Sequence, residues 1–342
     1  AEATGERAVE LIEENLIPSS IINEFSLSNA FRVMLAVGGS TNALIHMTAV
    51  AGRLGIKVDL QKLDDMSRNT PVIVDLKPSG ENYMEDLFRA GGLGPILREL
   101  RPLLHLDCMT ISGQTLGDHI PKSLSWAQEV VKPIDEPLKE EGGIVVLQGN
   151  LAPGTAIIKH SAATPELLQH EGRAVVFENL EDLAERIDDP NLDVKEDDVL
   201  VLRNAGPKGA PGMPESGYIP IPKKLAETGV KDMVRISDAR MSGTAFGTIV
   251  LHICPESYVG GPLCLVQNGD RIVLDVKGRR LDLAVDQETL AQRRREWVAP
   301  SPPIGSERGY LRLHLEQVEQ ASEGCDLKIL KGSSTGVVTP VL

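Results

Sequence analysis

Between residues 144 and 285 the chain carries nine short apolar runs, and no other feature limits its fold as much. They are Ile144–Leu147, Ala156–Lys159, Ala174–Phe177, Val199–Arg203, Val234–Ile236, Thr248–Ile253, Leu263–Val266, Ile272–Val276 and Leu281–Val285. Each is too short for a stable helix and rich in Val, Ile or Leu, and Gly and Pro lie between them. Such a series reads as β-strands that can bury their side chains only by curling into a barrel or stacking as a sandwich. Lys277-Gly278 between the last two runs is a hairpin signal. Helices near Leu180–Ile187 and Pro222–Glu227 interrupt the series. Aromatics are only 3% of the chain, so the core must be aliphatic.

The first 125 residues or so have a different texture. Ala8, Leu11, Ile12 and Leu16 recur at helical spacing. The chain opens on Ala1 inside that pattern, without a cap or lead-in, which predicts a truncated chain. Pro18-Ser19-Ser20 breaks it. Helices are expected over Ser28–Val37 and Asn42–Leu54, separated by the glycine turn Gly38-Gly39-Ser40-Thr41-Asn42 and ending at Gly55. The second of these is apolar nearly all round, which predicts a buried helix with His46 as a satisfied core histidine. Val72–Leu76 reads as a strand running into a turn at Lys77-Pro78-Ser79-Gly80. Glu81–Ala90 and Gly94–Leu100 read as helices. Helices alternating with short buried strands suggest the edge of an α/β domain. Residues 132–143, with two prolines and six charges, read as a linker. A charged helix follows Gln287, and a last helix is expected over Gly309–Ala321.

The net charge of −14 gives no basic footprint for nucleic acid. No apolar stretch approaches the roughly 18–20 residues that cross a bilayer, so no membrane is expected. Cys108, Cys254, Cys264 and Cys325 show no CxxC spacing, which argues against a zinc site and for a reducing cytoplasm.

Three segments could carry chemistry. Gly206-Pro207-Lys208-Gly209-Ala210-Pro211-Gly212-Met213-Pro214-Glu215 is stiffened by proline, offers backbone N–H groups to an anion and ends on a carboxylate. An ordinary surface turn has the same composition. Ser237–Thr248 crowds hydroxyls and glycines between two apolar strands, and Ser242-Gly243 could expose a hydroxyl. A tight strand connection is the alternative. A serine is a poor base unless a metal or cation lies beside it. Gly38–Asn42 offers N–H groups and hydroxyls at a helix start, either as an anion cradle or as a plain cap. The seven histidines are scattered and support no metal site.

Taken together, GGSTNALIHMTAVAGRLGI (38–56), DLKPSGENYMEDLFRAGGLGPILREL (75–100), GNLAPGTAIIKHSA (149–162), GPKGAPGMPE (206–215) and SDARMSGTAFGTIVLHICPE (237–256) closely resemble blocks of the dihydroxy-acid and sugar-acid dehydratases, in order and over residues 1 to about 330. The resemblance implies an α/β fold. Residues 1–131 would be the C-terminal part of an α/β cluster-binding domain, 132–143 a linker and 144–342 a swivelling β-barrel-like domain. It implies loss of water from a sugar acid (aldonate) to give a 2-keto-3-deoxy acid. A [2Fe-2S] cluster, [4Fe-4S] in some members, would act on the 3-hydroxyl. Mg²⁺ would bind the carboxylate and 2-hydroxyl, stabilising the enediolate-like transition state. By the same resemblance Ser242 is the base, an alkoxide stabilised by Mg²⁺, Glu215 is a Mg²⁺ ligand, and Thr244 lies near the substrate. Thr244 and Thr248 would both suit a polyhydroxylated substrate. The SDARMSGTAFGT loop resembles the L-arabinonate and D-xylonate members.

The family's three cluster cysteines and its carbamylated lysine lie upstream of the matching blocks. None of the four cysteines falls in a ligand motif, so no cluster ligand is expected in this chain. A dihydroxy-acid dehydratase of branched-chain synthesis is the closest alternative, and a non-catalytic binding or assembly module is the alternative of another class. The expected partners are a small anionic sugar acid and further copies of the chain, as a dimer or tetramer. The purified chain alone is expected to hold no iron and to turn over no aldonate; substantial activity in that assay would overturn the expectation.

Overall fold

The computed structural model describes residues 1–120 and 129–332. Eight strands form one sheet: β1 (Val145–Leu147), β2 (Thr155–Ile158), β3 (Gln169–Phe177), β4 (Val199–Leu202), β5 (Arg235–Ser237), β6 (Ile249–Cys254), β7 (Arg271–Asp275) and β8 (Arg280–Leu283). Their spatial order is β1-β2-β6-β5-β4-β3-β7-β8. The central pairs β3–β4, β4–β5 and β5–β6 are parallel, and the flanking pairs are antiparallel. The two ends of the sheet meet. Gln148, just past β1, bridges to Arg280 of β8. Asn150 continues the seam, donating from Nδ2 to the Leu283 carbonyl and accepting from the Leu283 N–H. The sheet is therefore a nearly closed barrel, with few backbone groups left at an edge.

Side-chain alternation explains the core. Val145 and Leu147, Ala156 and Ile158, Val199 and Val201, Ile272 and Leu274, and Leu281 and Leu283 all point into one interior cluster. The intervening residues Val175, Phe177, Leu200 and Leu202 pack outward against Leu183 and Ile187 of the Leu180–Arg186 helix. Ile144, Val146 and Ile157 pack against the N-terminal helices. Strands buried on both faces read as unbroken apolar runs, which is why the sequence displays them so plainly.

The N-terminal part is helical: Glu2–Glu13, Glu24–Ala36, Thr41–Arg53, Leu60–Arg68, Met84–Arg89 and Leu93–Glu99 are its main helices. Glu24–Ala36 starts four residues before the expected Ser28, because Asn23 and Ser26 form a capping box. Thr41–Arg53 buries only one face. His46 and Val50 are exposed, so His46 is not the core histidine that the helix composition predicted. Two expected strands are absent. Among the described residues Val72–Leu76 makes only isolated bridges, Val72 to Lys139, Val74 to Val131 and Leu76 to Asn82, because its partners lie on separate stretches of chain rather than on one continuous strand. Leu263–Val266 falls largely in a 3₁₀ turn, Pro262–Leu265, where Pro262 sits at the helix start. Helices expected over Glu81–Ala90 and Gly309–Ala321 are shorter, at Met84–Arg89 and Gly309–Gln317. Among the described residues no helix is long and apolar enough to cross a membrane.

One buried ion pair ties the helical part to the barrel. Arg279, in the β7–β8 turn, donates to both oxygens of Asp64 at 3.1 and 3.0 Å. Asp64 also accepts the Val146 N–H of β1. Removing one partner of such a pair strands the other, at a cost of about 3–5 kcal/mol, whereas replacing both with apolar groups is nearly neutral. Asp64→Ala also leaves the buried Val146 N–H without its acceptor, while Arg279 keeps Glu141 as a partner; it is expected to lose about 3 kcal/mol in urea unfolding, and Asp64→Asn, which keeps an acceptor, to lose less.

Candidate active site

Two irregular segments and one helix start meet on the flank of β6. The parallel pair β5–β6 needs a connection that runs back along the sheet. Residues 238–248 make it without a helix, crossing the outside of β6, where Met241 packs on Ile249 and Leu251. The segment leaving β4, residues 203–217, lies beside this crossover.

Buried carboxylates fix both segments. Glu256, at the end of β6, accepts the backbone N–H groups of Lys208 (3.0 Å) and Gly209 (2.9 Å). Asp238 accepts from the N–H groups of Ala205 and Ser257 and from the Ser257 hydroxyl. Burial pushes both carboxyls above the usual carboxylate range, against the pull of these donors. The glycine-rich loop does cradle an anion, as its composition suggested, but the anion is the protein's own Glu256. Arg240 then staples the two segments together. Its Nε donates to the Met213 carbonyl, and its own carbonyl accepts the Gly217 N–H at 2.8 Å.

The result ties Glu215 to the residue before Ser242. Asn42 Nδ2 donates both to Glu215 Oε1 (2.5 Å) and to the carbonyl of Met241 (3.0 Å). Ser242 and Thr244 share a hydrogen bond between their hydroxyls at 3.1 Å, on a turn closed by the Ala245 N–H to the Ser242 carbonyl. The turn lies directly on the start of the Thr41–Arg53 helix. A Cβ on Gly243 would stand 2.6 Å from the Cβ of Ser40, so only glycine allows the approach. Glu215 and Thr244 are exposed and Ser242 is half-buried.

Other expected groups lie elsewhere. Gly38 and Gly39 direct their N–H groups to Leu35 and Met34 and close the preceding helix, so they do not cradle a ligand. Thr248 is buried, with its hydroxyl on Asp232 and its oxygen accepting the Thr164 N–H, and so it cannot meet a substrate. Burial drives His252 down to about 3, leaving it neutral and no base in the physiological range.

Two residues escaped the sequence reading. The sequence offers Asn42 only within the Gly38–Asn42 cradle or cap, not through its side-chain amide. Lys159, just after β2, was read as the end of a strand. Its side chain is 3% exposed, and its ammonium donates to the Gly243 carbonyl at 3.3 Å. No carboxylate pairs with it among the described residues. A charged group that closes an apolar run was the one signal in the sequence.

Among the described residues no three His, Cys, Asp or Glu side chains could together hold a metal. The cysteines do not converge: Cys108 meets Asn29, Cys254 meets Ser322, Cys264 meets Arg294 and Cys325 meets Met213. An iron–sulfur cluster does not fit these thiols. Glu215 does fit as one ligand of a hard cation, being an exposed carboxylate tied through Asn42 to the start of the turn that carries Ser242 and Thr244.

The architecture is a nearly closed barrel joined to a preceding helical part. The chain belongs to the dihydroxy-acid/6-phosphogluconate dehydratase family, whose N-terminal and C-terminal models match residues 1–119 and 129–325. It is 49% identical to the L-arabinonate dehydratase of Rhizobium leguminosarum bv. trifolii, over 97% of this chain and 57% of that protein. It is 42% identical to the 6-deoxy-6-sulfo-D-gluconate dehydratase of Pseudomonas putida, over 100% and 59%. It is 40% identical to the dihydroxy-acid dehydratase of Carboxydothermus hydrogenoformans, over 95% and 58%. The chain thus spans less than three-fifths of the length of these curated relatives.

Burial lowers the Lys159 ammonium to about 8, below the roughly 10.4 of an exposed lysine. Between those values the unfolded chain holds a proton that the folded chain has released. Stability from this group therefore rises with pH, by about 2 kcal/mol between pH 8 and 10. Unfolding free energies measured across that range should show the rise in the wild-type chain relative to Lys159→Met.

Proposed function

We propose that this chain supplies the proton-abstracting half of an aldonate dehydratase site, acting on a sugar acid to give a 2-keto-3-deoxy acid. The observation that carries the reading is that Asn42 ties Glu215 to the Met241 carbonyl, at the start of the turn that carries the Ser242–Thr244 hydroxyl pair.

In this reading Ser242 Oγ takes the proton from C2 of the substrate. Thr244 Oγ1 orients the serine and stands ready to hydrogen-bond a substrate hydroxyl. Asn42 holds the Glu215 carboxylate in place and, by gripping the Met241 carbonyl, holds the start of the serine turn with it. A divalent cation, Mg²⁺ in our proposal, would be held partly by Glu215 and would supply charge neutralisation for the substrate carboxylate. The iron–sulfur cluster that the family resemblance implies finds no ligands among these residues, and no step is derived through it.

The substrate class rests on the loop Ser237–Thr248 and on the higher identity to relatives named for arabinonate than to those named for dihydroxy acids. The polar turn suits a substrate with several hydroxyls. We further propose a cytoplasmic protein that works as a homo-oligomer, a dimer or tetramer, with neither nucleic acid nor membrane as partner; the acidic charge and the unpaired cysteines support this.

In an assembly that contains the chain together with the cluster, L-arabinonate should be dehydrated in preference to 2,3-dihydroxyisovalerate. Ser242→Ala should cut turnover by about 10²–10⁴ without lowering the unfolding midpoint. Preference for the branched acid would replace the substrate reading, and full activity of the alanine variant would remove the serine from the mechanism.

A further inference from the structure

The connection 238–248 is tied to the segment after β2 at three points. The Gly247 N–H donates to the Ala162 carbonyl, and the Thr164 N–H donates to Thr248 Oγ1. The third tie is the Lys159 ammonium on the Gly243 carbonyl. Only the third reaches the turn that carries Ser242, and only the third brings a charge.

That charge is unusual in its setting. Lys159 is nearly fully buried, and no carboxylate lies within ion-pair distance among the described residues. Its neighbour His160 turns away to the Gly142 carbonyl, and burial keeps that ring neutral. An unpaired buried ammonium is costly unless a negative charge arises near it. The peptide it touches points to where. In a trans peptide the C=O and the N–H point in opposite directions. A cation on the Gly243 carbonyl therefore polarises the Thr244 N–H, which faces away from Lys159 and has no partner among the described residues. Polarisation of this kind strengthens the donor at the far side of the peptide.

We propose that Lys159 is a positioning residue for Ser242: it holds the Ser242–Gly243–Thr244 turn against the helix start and, through the Gly243–Thr244 peptide, presents positive charge to the anion that forms at Ser242 Oγ. This rests on the reading of Ser242 as the base and adds to it the source of charge that a serine base requires. The lysine supplies charge from within the fold, on the protein side of the turn, while the Glu215 carboxylate faces solvent. No bond is made or broken by Lys159; the proton it carries stays on Nζ.

Lys159→Gln keeps a donor of similar reach and removes the charge. Lys159→Arg keeps the charge. In the cluster-containing assembly, Lys159→Gln should lower kcat at least tenfold with KM changed less than threefold. It should also move the acid limb of the kcat/KM profile to higher pH, because the serine loses the charge that favours its ionised form. Lys159→Arg should recover at least a third of kcat and return the limb to its wild-type position. A second readout needs neither turnover nor a variant. Competitive acetylation of the unaltered chain, followed by mass spectrometry of the Lys159 peptide, should titrate with a midpoint near 8. Wild-type kcat and an unshifted limb in Lys159→Gln, with Ser242→Ala inactive, would overturn the role of Lys159 and leave the serine reading intact. An active Ser242→Ala would overturn both. A midpoint below about 7, which would leave the amine uncharged at working pH, would overturn the proposal directly, whatever the variants do.

Discussion

The site depends on two carboxylates that never meet solvent. Asp238 and Glu256 are each about 1% exposed, and their oxygens take backbone N–H groups from both segments that form the site. An irregular loop leaves many N–H groups without helix or sheet partners, and burying them unpaired costs more than any surface contact returns. Glu256 satisfies those at Lys208 and Gly209, and Asp238 satisfies those at Ala205 and Ser257. With these ends fixed, Arg240 can close the gap between the segments, and Glu215 is held within reach of Asn42. Gln320, from beyond the barrel, completes the Glu256 shell through its own amide, so the C-terminal part also bears on the loop geometry.

The barrel supplies the other half of the constraint. Four neighbouring strands are parallel, so the chain between β5 and β6 must return along the sheet. A helix commonly makes such a return. Here an irregular crossover does so, and its middle is free to carry a turn that a helix could not present. Gly243 lets that turn settle on Ser40, and Gly247 permits the close approach of Arg235, at a φ of +132°. The Ser242 hydroxyl therefore sits on a strand connection whose two ends are held by the core, and whose middle is held by a buried lysine.

This arrangement draws the candidate site from parts of the chain that are far apart in sequence. Asn42 comes from the helical part, Lys159 from the end of β2, Glu215 from the segment after β4 and Ser242 from the crossover. The Asp64–Arg279 pair matters for the same reason, since it fixes the helical part, and with it Asn42, against the barrel. A site composed of four separate segments can hold its geometry only if the core beneath all of them is rigid.

Several features were determined by the sequence alone. The apolar runs that became β1, β2, β4, β5 and β6 are buried on both faces, and burial on both faces writes itself directly into composition. Ser242, Thr244 and Glu215 were legible as candidates because their blocks resemble a family, and the absence of a cysteine pattern was a matter of counting. Local signals misled where neighbours decided. Val72–Leu76 has strand composition but only isolated bridges beside it, and Leu263–Val266 follows a proline that turns it into a 3₁₀ segment. The helix at Thr41–Arg53 is apolar yet buries one face. Thr248 has a hydroxyl like that of Thr244, but its own is spent on Asp232. The tertiary structure alone decided that Glu256 fills the glycine loop, that Asn42 joins Glu215 to the serine turn, and that Lys159 is buried without a counter-ion. Each of these joins residues distant in sequence, and no local pattern encodes a contact of that kind.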